Sequence, residues 1–115
     1  MIEKQNFIEL EEQIEPLVIN KQLKSDHAHQ LLDQYYALII GYIEQINQID
    51  KFDISEISNY PVIPMNFEER YQYINDRNYH FMGYRQMVTL KDELIKMNAR
   101  HQLKLKREAK LKQGD

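Results

Sequence analysis

Three glycines and three prolines in 115 residues leave this chain few places to turn. Tight turns lean on those two residue types, so a sequence this poor in them is committed to long helices. The apolar spacing agrees. Phe7, Leu10, Ile14, Leu17 and Val18 recur at three- and four-residue steps, which marks one face of a first helix. Pro16 lies within that pattern. Either it kinks the helix, or it ends one helix and opens the next at its first turn, where its missing N–H costs nothing. A second face runs Ala28, Leu31, Leu32, Tyr35, Ile39, Tyr42, Ile43, Ile46 and Ile49, with Ser25 or Asp26 as its cap. Its centre, Tyr36–Ile43, is apolar all round, which places this helix in the middle of a bundle. Gly41 in that centre costs about 1 kcal/mol relative to Ala, offset only by the close approach of a neighbouring helix.

Residues 50–65 read as a connection. Asp53 or Ser55 can start one short helical turn, while Tyr60-Pro61-Val62-Ile63-Pro64 is extended, because a residue before proline is pushed out of the helical region. Asn66 followed three residues later by Glu69 predicts a reciprocal cap on a short helix with Phe67, Tyr71 and Ile74 on one face. Asp76-Arg77-Asn78 breaks that helix. The last helix then carries Phe81, Tyr84, Met87, Leu90, Leu94 and Met97 as its buried stripe, thinning to Leu103, Leu105 and Leu111 among lysines and arginines. The expected fold is all-α: a compact bundle of four to five helices with a long basic C-terminal helix. Residues 1–100 form a single helical domain, and 101–115 a basic helical extension or frayed tail.

Charge is distributed unevenly. Residues 1–60 hold eleven acidic against four basic side chains, a balance of −7, and residues 61–115 hold seven against eleven, a balance of +4. Such polarity favours a partner for the basic end, or head-to-tail attraction within the molecule. Homo-oligomerisation stays open, because the apolar centre of the second helix must be covered either within one chain or by another copy. The chain has no cysteine, so disulfides, thiolate nucleophiles and Cys-ligated metals are excluded. Met1-Ile-Glu-Lys-Gln-Asn lacks the basic and apolar regions of a signal peptide, and a cytoplasmic location is expected. The longest apolar run has nine residues, about half of the ~20 that span a membrane, so no membrane association is expected.

The run Asn66-Phe67-Glu68-Glu69-Arg70, with Ile74, the Asn78-Tyr79-His80 turn, Tyr84-Arg85-Gln86-Met87 and Leu94, resembles the C-terminal half of YpoC-like proteins. The resemblance covers about residues 62–100. It implies a small helical protein of Gram-positive bacteria, from a family whose members tend to be encoded near replication, repair and cell-wall genes. It supplies no catalytic residues.

Two surfaces stand out as candidates. At the polar break, Arg70, Asp76, Arg77, Tyr79, His80 and Arg85 combine forked guanidinium donors with carboxylate, phenol and imidazole groups, a binding surface for a carboxylate or phosphate. The competing reading is local: these residues cap helices and pair with Glu69 and Asp76. Farther on, Lys96, Arg100, Lys104, Lys106, Arg107 and Lys110 could neutralise phosphates, against the local reading of a solvated helix end. The interleaving of Tyr71, Tyr73, Tyr79 and Tyr84 with arginines suits base stacking, though Tyr71 and Tyr84 lie on the apolar stripes and read as core with hydroxyls at the surface.

No metal or cofactor is expected. His27 and His29 point apart on a helix, and the helix break separates Asp76 from His80. Walker, dinucleotide-binding and nucleophile-elbow motifs are absent. The sequence therefore reads as a non-catalytic helical module acting through an unidentified protein partner, with nucleic-acid association as the alternative.

Overall fold

A computed structural model describes residues 1–113. Four α-helices, α1 (Lys4–Ile19), α2 (Asp26–Asn47), α3 (Phe67–Asp76) and α4 (Phe81–Gln113), are joined by short loops and one 3-10 turn at Ile54–Asn59. No strand is present among the described residues. α2 packs on both α1 and α4, and α3 folds back along α4. Phe7 and Ile14 from α1, Tyr35 and Ile43 from α2, and Leu90 and Leu94 from α4 are fully enclosed between them. Aromatic rings meet edge to face at the centre, with Phe7 against both Tyr35 and Tyr42 at centroid distances of 5.6 and 5.8 Å.

Pro16 lies inside a single helix, so it separates nothing. α1 ends three residues later, at Ile19. The N–H of Gln22 bonds the Leu17 carbonyl at 2.8 Å and that of Lys21 bonds Val18 at 3.1 Å. Lys21 sits at φ 56°, the left-handed position that glycine usually takes in this terminating motif. Ser25 caps α2, its hydroxyl accepting from the Ala28 N–H at 3.1 Å. The connection is anchored by one buried side chain. Asn47 accepts from the Val62 N–H at 2.8 Å and donates to the Val62 carbonyl at 2.9 Å, satisfying both backbone groups of a buried residue. Asp53, not Ser55, caps the 3-10 turn.

Three local expectations are corrected. Asn66 makes no side-chain cap: at φ 57° its backbone is left-handed, and only its carbonyl serves the helix, accepting from the Arg70 N–H at 3.1 Å. Phe81 is 39% exposed instead of buried, because it opens α4 at the end of the bundle, where the apolar stripe has not yet reached the core. The Tyr84 hydroxyl is buried and lacks a hydrogen-bond partner, where a surface position was expected. Beyond the bundle, α4 continues as an unbroken helix through Gln113, drawing the molecule out to 59 × 28 × 21 Å. Residues 114–115 of the expected extension lie outside the described ones.

What lies against Gly41 is not a neighbouring helix but the N-terminal segment before α1. The amide of Gln45 grips the Ile2 backbone, accepting from its N–H at 2.8 Å and donating to its carbonyl at 2.9 Å, and this lays the Ile2 side chain over Gly41. Gly83 meets something harder, the backbone carbonyl of Arg77, which would collide with a Cβ. The two glycines therefore respond differently to alanine. Gly41→Ala gains up to about 1 kcal/mol of helix propensity while Ile2 shifts aside, and urea unfolding will show it neutral or stabilised. Gly83→Ala loses about 1–3 kcal/mol because the α3–α4 turn itself must move.

Candidate functional site

The turn between α3 and α4 is held by a cap on α4 and by contacts to α2. His80 caps α4, its Nδ1 accepting from the Met82 N–H at 3.0 Å. Tyr79 occupies the left-handed region at φ 65°, and this turns its ring onto α2. There it stacks on His29, with centroids 3.9 Å apart and planes 14° apart, and donates to Asp33 at 3.2 Å. That bond to a carboxylate is the main reason the Tyr79 pKa lies above the usual phenol value.

A cleft of about 160 Å³ opens between this turn and α2. Leu32, Ile74, Tyr84 and Met87 give it an apolar floor, while Asp33, Asn75, Arg77, Tyr79 and His80 line its polar margin. Tyr36 stands at the same margin. Burial, and then a hydrogen bond with Tyr71, push its pKa up to about 12.

Of the six residues expected to share a binding surface, the fold brings Arg77, Tyr79 and His80 to this cleft. Arg77 lies flat on the Tyr73 ring at 3.8 Å. Asp76 faces elsewhere and accepts from Gln72 at 2.8 Å. Arg70 is engaged on the other side of α3: it pairs with Glu93, donates to Gln86 at 3.0 Å and reaches the Met65 carbonyl at 3.3 Å, fastening α3 to α4. Arg85 is exposed on α4, near the face of Phe81 at 5.8 Å. The second set, Lys96, Arg100, Lys104, Lys106, Arg107 and Lys110, is exposed along the outer half of α4. The half-buried Asn98 reaches the Tyr42 hydroxyl at 3.5 Å, the last side-chain hydrogen bond between α4 and the bundle. Among the described residues no three His, Asp or Glu side chains gather as a metal ion would require, and no helix is long and apolar enough to cross a membrane.

The most unusual chemistry lies inside the core and was not anticipated. Lys91 is only 4% exposed. Its ammonium pairs with Glu11 of α1 at 2.9 Å and with Asp92 at 2.7 Å, and the same Glu11 oxygen accepts from the Tyr35 hydroxyl at 2.6 Å. Burial works against the Lys91 charge, but the bonds to Asp92 and Glu11 outweigh it and hold its pKa above the ordinary lysine value. Burial first, and then the carboxylates, raise the Tyr35 and Tyr84 phenols well above their usual range. A signal was present in the sequence. Glu11 stands four residues after Phe7 and three before Ile14, and Lys91 four after Met87 and three before Leu94, so both occupy stripe positions.

The architecture defines a class: a small all-α bundle whose last helix outruns the others. The model of the YpoC-like protein family matches residues 3–106, well beyond the segment that carries the visible resemblance, and the chain belongs to that family. No curated protein and no solved structure matches it.

The core network gives stability a definite pH dependence. Unfolded tyrosine and lysine titrate near pH 10, whereas folded Tyr35, Tyr84 and Lys91 hold their protons to higher pH. The native state then binds more protons than the unfolded one, so stability is full below about pH 10 and falls as pH rises beyond it. Urea midpoints measured from about pH 8 to 11 will drop above 10, and Tyr35→Phe will flatten that slope. Tyrosinate absorbance from Tyr35 and Tyr84 will emerge together with unfolding.

Proposed function

We propose that this chain is a non-catalytic helical module of the cytoplasm of a Gram-positive bacterium, holding a protein partner against the α3–α4 turn. The cleft carries this reading. At about 160 Å³ it is smaller than the roughly 300–1,000 Å³ typical of small-molecule sites, and it suits one inserted side chain. An apolar floor with a polar margin is the form that an interface anchor takes. Two groups there that could move protons are engaged in holding the turn, Tyr79 with Asp33 and the His80 Nδ1 with the α4 backbone. A photo-crosslinking residue at Asn75, expressed in the host, tests this. Discrete protein adducts are expected, reduced about tenfold or more by Arg77→Glu, an affinity change of about 1.4 kcal/mol. An unchanged adduct pattern removes the cleft as the contact surface.

A second reading is favoured by the outer half of α4. Seven Lys or Arg against Glu108 occupy residues 96–112, with like charges one turn apart at Arg100/Lys104 and Lys106/Lys110. Such pairs weaken a solvated helix, and a polyanion laid along it would relieve them. Nucleic acid is the polyanion this reading names. Neutralising four phosphates would make duplex binding fall roughly hundredfold between about 50 and about 200 mM salt. Truncation after Asn98 should abolish that binding. Retention of binding by the truncated chain, or none by the full chain, ends this reading.

A further inference from the structure

On the other side of Tyr79 a second concavity opens where α1 ends and α4 begins. Val18, Leu23, Tyr79 and Phe81 form its floor, Lys21 and Lys24 stand at its edge, and its volume is about 590 Å³. Its lining contains two lysines and no carboxylate, and among the described residues no ion pair engages either lysine. Phe81 is 39% exposed and the adjoining Met82 46%, an apolar surface at the edge of the core. The backbone bonds that close α1 hold Lys21 at a fixed point beside it.

We propose that this groove takes an acidic peptide segment of a partner protein, with an aliphatic or aromatic side chain seated on Phe81 and flanking carboxylates reaching Lys21 and Lys24. This rests on the protein-contact reading and adds the chemistry of the partner. The apolar floor supplies the contact area, and the two free ammonium groups set the sign of the charge that can approach. An apolar segment flanked by lysines would meet like charge at the same edge and be rejected.

The probe is a fluorescein-labelled, twelve-residue amphipathic peptide carrying two leucines one helical turn apart among glutamates. Anisotropy is measured with the full chain. Replacing its glutamates by lysines, or its leucines by alanines, should weaken binding about tenfold or more. Lys21→Glu/Lys24→Glu should do the same, and Phe81→Ala should lower affinity about fivefold, with thermal unfolding of both variants close to that of the parent. Equal binding of the lysine peptide, insensitivity to the charge reversal, or no binding of the acidic peptide each overturns the proposal. A concentration-dependent dimer dissolved by Lys21→Glu/Lys24→Glu also overturns it, assigning the groove to a second copy of this chain. Crosslinking from Asn75 in the parent chain separates the two readings: if adducts form there while the acidic peptide fails to bind that same chain, the groove proposal falls and the cleft reading stands.

Discussion

The Glu11–Lys91 ion pair is the constraint around which the bundle is arranged. A buried ammonium is expensive unless its charge is met and its protons are satisfied. Lys91 meets this condition with Glu11 across the bundle and Asp92 beside it, while Tyr35 occupies the same Glu11 oxygen from α2. Three helices thus converge on one carboxylate. Sliding α1 by a turn would strand the charge, whereas the aliphatic contacts around it would tolerate the shift far better. The pair therefore ties the register of α1 to that of α4. The unpartnered Tyr84 hydroxyl nearby shows the cost of gathering polar groups in so small a volume.

The helices were legible because three- and four-residue spacing encodes a face, and the faces of α1 and α2 are buried where their spacing put them. Reading only apolar residues onto those faces concealed the charged pair, since Glu11 and Lys91 occupy stripe positions without being hydrophobic. Phe81 shows the opposite error: it fits the stripe by spacing but precedes the first turn that touches the core. Asn66 shows a third. Its residue type suits a cap, but a left-handed backbone, which the sequence does not display, turns the side chain away from the N–H groups.

The same distinction sorts the candidate surface. Arg70 looked available because its partners, Gln86 and Glu93, lie 16 and 23 residues farther along the chain. Only the antiparallel return of α4 along α3 brings them together. Tyr79 and His80 were identifiable as turn residues, yet their stacking on His29 and capping of α4 follow from a single left-handed residue and its direction. Much of the polar break is spent on holding the turn, and what it leaves over is shape: concave surfaces on either side of Tyr79.

α4 begins at that turn and ends among the lysines, so one helix joins the two surfaces. Thirty-three residues at about 1.5 Å each make a rod of roughly 50 Å. Anything bound at its two ends would be held to that separation. A partner small enough to sit in the cleft cannot also touch the far cations, and any single body engaging both must span most of that length. Two separate bodies held at the two ends would be kept apart by the same distance, making the helix a spacer as well as a wall of the bundle.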